Sequence, residues 1–478
     1  MTILNLFFFA LIISLVHNFY NQYNTIFLKS FTFLFLFELI VIKIFNRLKS
    51  NQINTDSTNI QFKFNTLTNI DPSINSSNPY ITNDKNTKHI VSAYDAMAKR
   101  NEYLFRIKYF DNFLVKFLND KRDIVTAWTF INLITISLPL IFLNLYFSSV
   151  LPSICAPLTF FFNTFTFTDR FILGLHYSSH RPIWKDKASF MNYIPTVFIA
   201  PFFGLPSGNY WTHHILMHHR HNNEVGRDLS STEPYQRDNF FHFIHYWLRF
   251  LIGIWFELPL FALKYGKSFS KSWNGLFNCG IFLATRILFS SFIHLYLTYL
   301  SIVYIPWAGT WLIAMPIIIS SFLLMFGNWS QHMFIDPERP WNNFVLSYTC
   351  MNSPSQQRSF NDGYHINHHI APLCHWADLP ADFERCVRRF EEEESFCFSG
   401  IDNFCIGINV FIGRLDKLTE HMINPCTGKP WKVDTNGNID RTACIIELKR
   451  RLKPVSNLIY RPFPNHRGMK FEDQNYKR

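Results

Sequence analysis

Apolar runs of about 20 residues, the length a helix needs to cross a bilayer, recur along the first 330 positions. Runs over 3–20 and 26–45 predict an N-terminal hairpin of two membrane segments, with Lys43, Arg47 and Lys49 holding its end in the cytoplasm. Residues 51–88, rich in Asn, Ser and Thr and without apolar periodicity, read as a disordered linker. Mixed aromatic and basic positions over 92–122 suit a helix lying at the headgroups. Runs over 125–147 and 151–173 predict a tight membrane hairpin whose second arm delivers the stretch HYSSH, His176 to His180. The stretch 190–205 is short and carries Pro195 and Pro201, so it reads as re-entrant or interfacial. The stretch 240–263 carries His242, His245, Arg249 and Glu257 and reads as an interfacial helix. A second hairpin, 276–305 and 307–326, turns at Pro306 and returns the chain as GNWSQH, Gly327 to His332. From Asp336 onward the chain is polar enough for a cytosolic region.

Composition sharpens this pattern. Only 17% of the 478 residues are charged, below the quarter or so of an ordinary soluble domain, so the reading is a polytopic membrane protein. The formal charge of +11 comes with Lys and Arg flanking the apolar runs, which points to loops and anionic headgroups; no nucleic-acid-reading motif occurs. The first 28 residues hold no Lys or Arg, so the apolar start reads as a retained membrane segment, not a signal peptide. Nine scattered cysteines, without a Cys-x-x-Cys pair, suit reduced thiols facing cytosol better than a disulfide framework.

Histidine is where the chemistry concentrates. The clusters are HYSSH (His176, His180), HHILMHHRH (His213, His214, His218, His219, His221), NWSQH (Asn328, His332) and HINHH (His365, His368, His369). On a helix, residues three and four apart share a face, so HINHH gathers its rings within roughly 100°. If each hairpin goes out and comes back, every cluster lands on one membrane face. Imidazole is the commonest metal ligand among side chains, and about nine nitrogens exceed the three a catalytic zinc takes. HYSSH also lacks the glutamate of the zinc-protease motif. Two redox-capable metal ions sharing eight to ten ligands fit better. His17, His89, His242, His245, His421 and His466 read as hydrogen-bonded bystanders.

The order HxxxH, HxxxHH, HxxHH, interleaved with two membrane hairpins, resembles the integral-membrane fatty acid desaturases and hydroxylases. The likeness runs from Thr168 to Phe383 and includes HHIAPLCHWADLP, His368 to Pro380. Asn328 and His332 match the spacing of the extra Asn and His in the acyl-CoA desaturases. The resemblance implies an all-α polytopic membrane protein, with two transmembrane hairpins carrying a cytosolic histidine-box di-iron domain, besides the N-terminal hairpin. It implies two non-heme irons held by His176, His180, His214, His218, His219, Asn328, His332, His365, His368 and His369, with O2 as co-substrate. The implied activity is desaturation of a membrane lipid or acyl-CoA chain, most simply at the endoplasmic reticulum with the metals facing the cytosol. No His-Pro-Gly-Gly heme motif occurs, so electrons are expected from a separate cytochrome b5 or ferredoxin, which the basic surface would attract.

One departure leaves alternatives open. The middle box, His214-x-x-x-His218-His219, is one residue longer than in acyl-CoA desaturases and looks like the spacing of alkane hydroxylases. On a regular helix His221, not His219, would share a face with His214, so His221 is held in reserve. A hydroxylase of the same superfamily and a non-enzymatic metal transporter are the rival functions. Asp169, Glu224, Asp228 and Asp362 are candidates for orienting imidazoles, with His213 and His375 as possible supports. Arg286 and His294, inside a predicted span, could line an acyl tunnel. The expected divisions are membrane segments 1–46, linker 47–91, membrane and di-iron region 92–383, and a C-terminal region 384–478. That last region includes an apolar stretch, 396–412, expected to contact the membrane beneath the catalytic face.

Overall fold

The computed structural model describes residues 104–147, 154–265 and 279–455. The expected N-terminal hairpin and the polar linker lie outside the described residues. The described chain is helical, with one two-stranded parallel sheet among its described residues, β1 (Thr349–Met351) beside β2 (Cys397–Ser399). It is an all-α polytopic membrane protein, and four of its helices are long and apolar enough to cross a bilayer.

The first hairpin pairs α1 (Lys121–Tyr146) with α2, which runs unbroken over 155–180. α2 is not among the four most apolar helices, because Asn163, Thr164, Thr168, Asp169 and Arg170 interrupt it. Some of these polar positions turn toward protein: Asp169 pairs with Arg358, and Thr168 bonds back to the Asn163 carbonyl at 3.4 Å. Both arms contain a π turn, Leu133–Ser137 and Thr164–Thr168. Such a turn inserts an i→i+5 hydrogen bond and rotates the helix face beyond it.

The proline-rich stretch after α2 forms no membrane span. Asp186–Phe203 alternates short 3-10 and π turns, because Pro195 and Pro201 deny it a continuous ladder. It ends at Gly204, in the left-handed region at φ 76°. A Cβ there would lie 2.3 Å from the Pro316 carbonyl oxygen. From it the chain enters α3, the helical segment 209–221 that carries the middle histidine cluster.

α4 (Phe240–Tyr265) is one of the four apolar helices, more apolar than an interfacial helix was expected to be. Its contacts nevertheless follow the middle histidine segment from end to end. The Tyr246 hydroxyl donates to the Ser230 carbonyl at 3.2 Å, Phe250 lies 5.0 Å from the His213 ring, and Phe261 lies 5.5 Å from the His221 ring. α5 (Cys279–Tyr304), against which α4 packs with the Trp255 and His294 rings 5.8 Å apart, and α6 (Pro306–Gln331) form the second hairpin. Leu248, Ile252, Phe256 and Leu260 form an exposed apolar stripe along the outer side of α4.

Beyond α6 the chain folds back over the histidine layer. α7 (His365–Ile370) and α8 (Leu379–Glu392) join the core of the first hairpin. α9 (Asn403–Phe411) packs on the end of α6, with Phe404 and Phe411 5.2 Å and 6.0 Å from Phe326, and on the start of α4, with Phe411 5.6 Å from Phe240. α10 (Arg441–Arg451) starts at Asp440, whose carboxylate accepts from the Ala443 amide. Within the apolar stretch 396–412, Phe396, Phe398, Ile406 and Val410 are buried in the core, while Phe404, Ile408 and Ile412 are exposed.

Gly204→Ala should lower the apparent melting temperature of the detergent-solubilised protein, by the equivalent of about 1–3 kcal/mol. Gly226 has φ +77° with nothing within 4 Å of a new Cβ. Gly226→Ala should therefore cost less, and equal losses at both positions would refute the close approach at Gly204.

Candidate metal centre

Four chain segments deliver histidines to one buried layer. The last turn of α2 supplies His176 and His180, one helical turn apart. α3 supplies His214, His218 and His219 through a π turn over Thr212–His218, in which the His219 amide bonds to the His214 carbonyl. The end of α6 supplies Asn328 and, just past it, His332. α7 supplies His365, His368 and His369, all buried.

The rings sort into two groups. His176, His180, His214, His219 and His368 form one; His218, His332, His365 and His369 form the other, the ligating atoms of each lying within 4.8 Å of one another. In the first, Nε2–Nε2 separations are 2.6 Å for His176–His368, 2.9 Å for His180–His214, 3.1 Å for His214–His219 and 3.0 Å for His219–His368. In the second they are 3.0 Å for His332–His365 and 3.1 Å for His365–His369. Box three straddles both groups: His365 and His369, four apart, face one way and His368 the other. The groups adjoin, with His219 and His369 rings 4.7 Å apart.

The π turn decides between His219 and His221. With i→i+5 bonding, the residue five positions on returns to the same face, so His219 joins His214. His221, held in reserve on regular-helix geometry, belongs to neither group. It lies against Phe261 and Tyr265, 5.5 Å and 5.6 Å between ring centroids. The longer spacing of the middle box is therefore absorbed by the backbone.

Several rings are held from behind, leaving Nε2 aimed inward. His218 Nδ1 donates to Asp228 at 2.7 Å, and His332 Nδ1 to the Leu346 carbonyl at 3.1 Å. His369 Nδ1 donates to Asn222 at 3.4 Å, and His176 Nδ1 lies 3.5 Å from Asp362, whose other oxygen accepts from Gln331. Of the four acidic candidates, Asp228 and Asp362 thus stand behind site rings, while Asp169 pairs with Arg358 and Glu224 with Arg227. Asn222, Leu346 and Gln331 were not anticipated. Asn222 closes α3 in the left-handed conformation at φ 46°, a role Asn tolerates well, and that position just past the box was the available clue.

Asn328 is committed through its nitrogen, which donates to the Ser230 carbonyl at 3.2 Å and the Tyr246 hydroxyl at 2.7 Å. Only its oxygen is left for a ligand role. His213 points away from both groups, toward Asp228 at 3.9 Å and the face of Phe250. His375 belongs elsewhere: its Nε2 donates to Asp123 at 3.1 Å while Nδ1 accepts from the Ala377 amide, tying the exit of box three to the start of α1. His294 is buried against Trp255 within α5. His242, His245 and His421 make ordinary hydrogen bonds, as expected.

The layer is built for uncharged rings. Burial, then the neighbouring imidazoles, pushes His214, His219, His365, His368 and His369 well below the usual 6.5, and His332 falls to about 3. Asp228 would be raised by burial, but His218 and its other partners hold it well below the usual carboxylate range. Asp362, desolvated and with only Gln331 opposing, rises to about 7. His218, His332 and His369, whose Nδ1 atoms donate outward, turn an Nε2 lone pair inward, where it can bind a cation. Metal–imidazole bonds of about 2.0–2.1 Å at right angles separate ligand atoms by roughly 3 Å, as found. The donor set therefore fits two metal ions, one per group.

Fold and site together define a polytopic helical membrane protein with two adjacent imidazole groups, each able to hold a metal ion. The family model described as fatty acid desaturase matches residues 151–399, and the chain belongs to that family. No curated protein and no solved structure matches it.

Linkage gives the site a pH signature. The six lowered histidines take up protons near 6.5 when unfolded but resist them when folded, so stability of the metal-free protein falls as pH drops through that value. Asp362 works in the opposite sense, one group against six. The metal-free protein should melt lower at about pH 5.5 than at about pH 7.5; a flat profile would contradict a buried, neutral layer.

Proposed function

We propose that the chain is a membrane-bound, O2-dependent fatty acid desaturase holding two non-heme irons. His176, His180, His214, His219 and His368 would hold one ion, and His218, His332, His365 and His369 the other, with Asn328 contributing through its oxygen. The observation that carries this reading is the convergence of nine imidazoles into two adjacent groups within a member of the desaturase family. Iron in such a nitrogen-rich setting supplies the oxidising power to take hydrogen from an unactivated C–H bond.

The chain's own residues do the rest. Burial of the layer excludes water, and Asp228, the Leu346 carbonyl and Asn222 fix ring orientation. The hydrophobic helices α1, α2 and α6 would present an acyl chain to the layer from the bilayer side. The substrate is then a membrane lipid or acyl-CoA chain, and two electrons per turnover come from a separate donor of cytochrome b5 or ferredoxin type. The endoplasmic reticulum, with the metals facing the cytosol, is the setting that accommodates such a donor. Hydroxylation by the same centre is the second reading, because the longer middle box is the spacing of alkane hydroxylases and the π turn brings His219 to His214 whichever product forms. Transport is disfavoured, since α5 and α6 contain no carboxylate along their length.

Detergent-purified protein should contain about two irons per chain, and the triple variant His365→Ala, His368→Ala, His369→Ala should retain almost none. Lipids of cells producing the wild type should gain double bonds that the variant does not make. Zinc in place of iron, or iron surviving in the variant, would sink the reading. Asp228→Asn keeps the shape but weakens the orienting bond to His218, and should reduce product by about 10–100-fold with normal accumulation of protein.

A further inference from the structure

We propose that Arg237 is a positioning residue for the four-histidine group, and that the C-terminal segment 441–455 is the part of the chain that completes its grip. This rests on the reading that the four-histidine group holds a metal.

Arg237 is fully buried, and its hydrogen bonds run to six carbonyl oxygens. Nε donates to Met333 at 2.7 Å, the residue immediately after His332. Nη1 donates to Thr232, Glu233 and Tyr235 at 3.2, 3.3 and 3.3 Å. Nη2 donates to Arg451 at 2.9 Å and Lys453 at 2.5 Å. A guanidinium offers five N–H donors in a rigid fork, and here the fork ties three segments together: the loop 228–237, the strand of chain leaving α6, and the end of α10.

That loop is the framework of the four-histidine group. Asp228 holds the His218 ring, the Thr232 hydroxyl donates to the His332 carbonyl at 2.7 Å, and the Ser230 carbonyl accepts from Asn328. The C-terminal segment closes it with two backbone bonds, the Arg237 amide to Leu452 at 2.9 Å and the Val455 amide to Glu233 at 2.8 Å. Arg451 anchors the segment in turn: buried, it donates to the Glu394 carbonyl at 2.9 Å and lies 4.0 Å over the Phe396 ring. The match to the family ends at residue 399, so this support for His332 comes from chain beyond the matched region. None of these contacts touches His176 or His180 of the other group, so the effect of losing Arg237 is one-sided.

The test is a cobalt(II) titration of the metal-free, full-length protein in detergent, followed by visible absorption, for the wild type, Arg237→Met, Arg237→Lys and His365→Ala. The wild type should take two equivalents. Arg237→Met should keep one and bind the second at least about tenfold more weakly, with a spectrum like that of His365→Ala; Arg237→Lys should fall between. Hydrogen exchange of the same metal-free proteins should speed up at Arg237, Met333–Ile335 and Val455 in Arg237→Met, but not at His176–His180. Two equivalents at unchanged affinity, loss of both, or exchange accelerated equally everywhere would each overturn the proposal. If Arg237→Met cannot be recovered folded, Arg237→Lys is judged by the same criteria. Should the wild type take no cobalt, the metal reading fails on its own and the exchange pattern alone decides whether Arg237 positions the loop.

Discussion

Nine imidazoles packed into one buried layer are the constraint from which the rest of this structure follows. Their Nε2 atoms stand about 3 Å apart, and each group could hold a metal ion at its centre. The fold supplies what such a layer needs: four segments meeting at one level, apolar packing around them, and hydrogen-bond acceptors behind several of the rings.

The two hairpins are the means of delivery. A polar cluster at the end of a membrane arm can reach its partners only if each excursion returns to the same face, so α1 with α2 and α5 with α6 bring His176, His180 and His332 back to where α3 and α7 wait. α4 backs the middle box through its contacts with His213, Ser230 and His221 and leaves an apolar stripe exposed on its outer side.

Much of this was legible in the sequence because spacing and hydropathy are local properties. The HxxxH and HxxHH boxes need only helical periodicity to place their rings, and the hairpins need only runs of the right length. The middle box was harder. Regular helix geometry favours His221, and nothing in THHILMH announces a π turn that widens the period so that His219 takes the place. The apolar strength of α4 was masked by its four polar residues, Arg249 and Glu257 of which pair with each other. Asn222 and the Leu346 carbonyl were invisible for another reason: a partner from a distant segment, or from the main chain, leaves no motif. The same holds for the C-terminal region, whose grip on the loop after α3 runs through carbonyls and a single guanidinium.

Two imidazole-dominated metal sites of nearly equal ligand number are the central claim, and X-ray absorption at the iron edge of the purified, iron-loaded protein addresses it most directly. The account predicts a first shell with an average of four to five imidazole nitrogens per iron, no sulfur, and the outer-ring scattering that histidine ligands produce. A shell containing sulfur, one dominated by carboxylate oxygen, or a single iron surrounded by fewer than four nitrogens would contradict it.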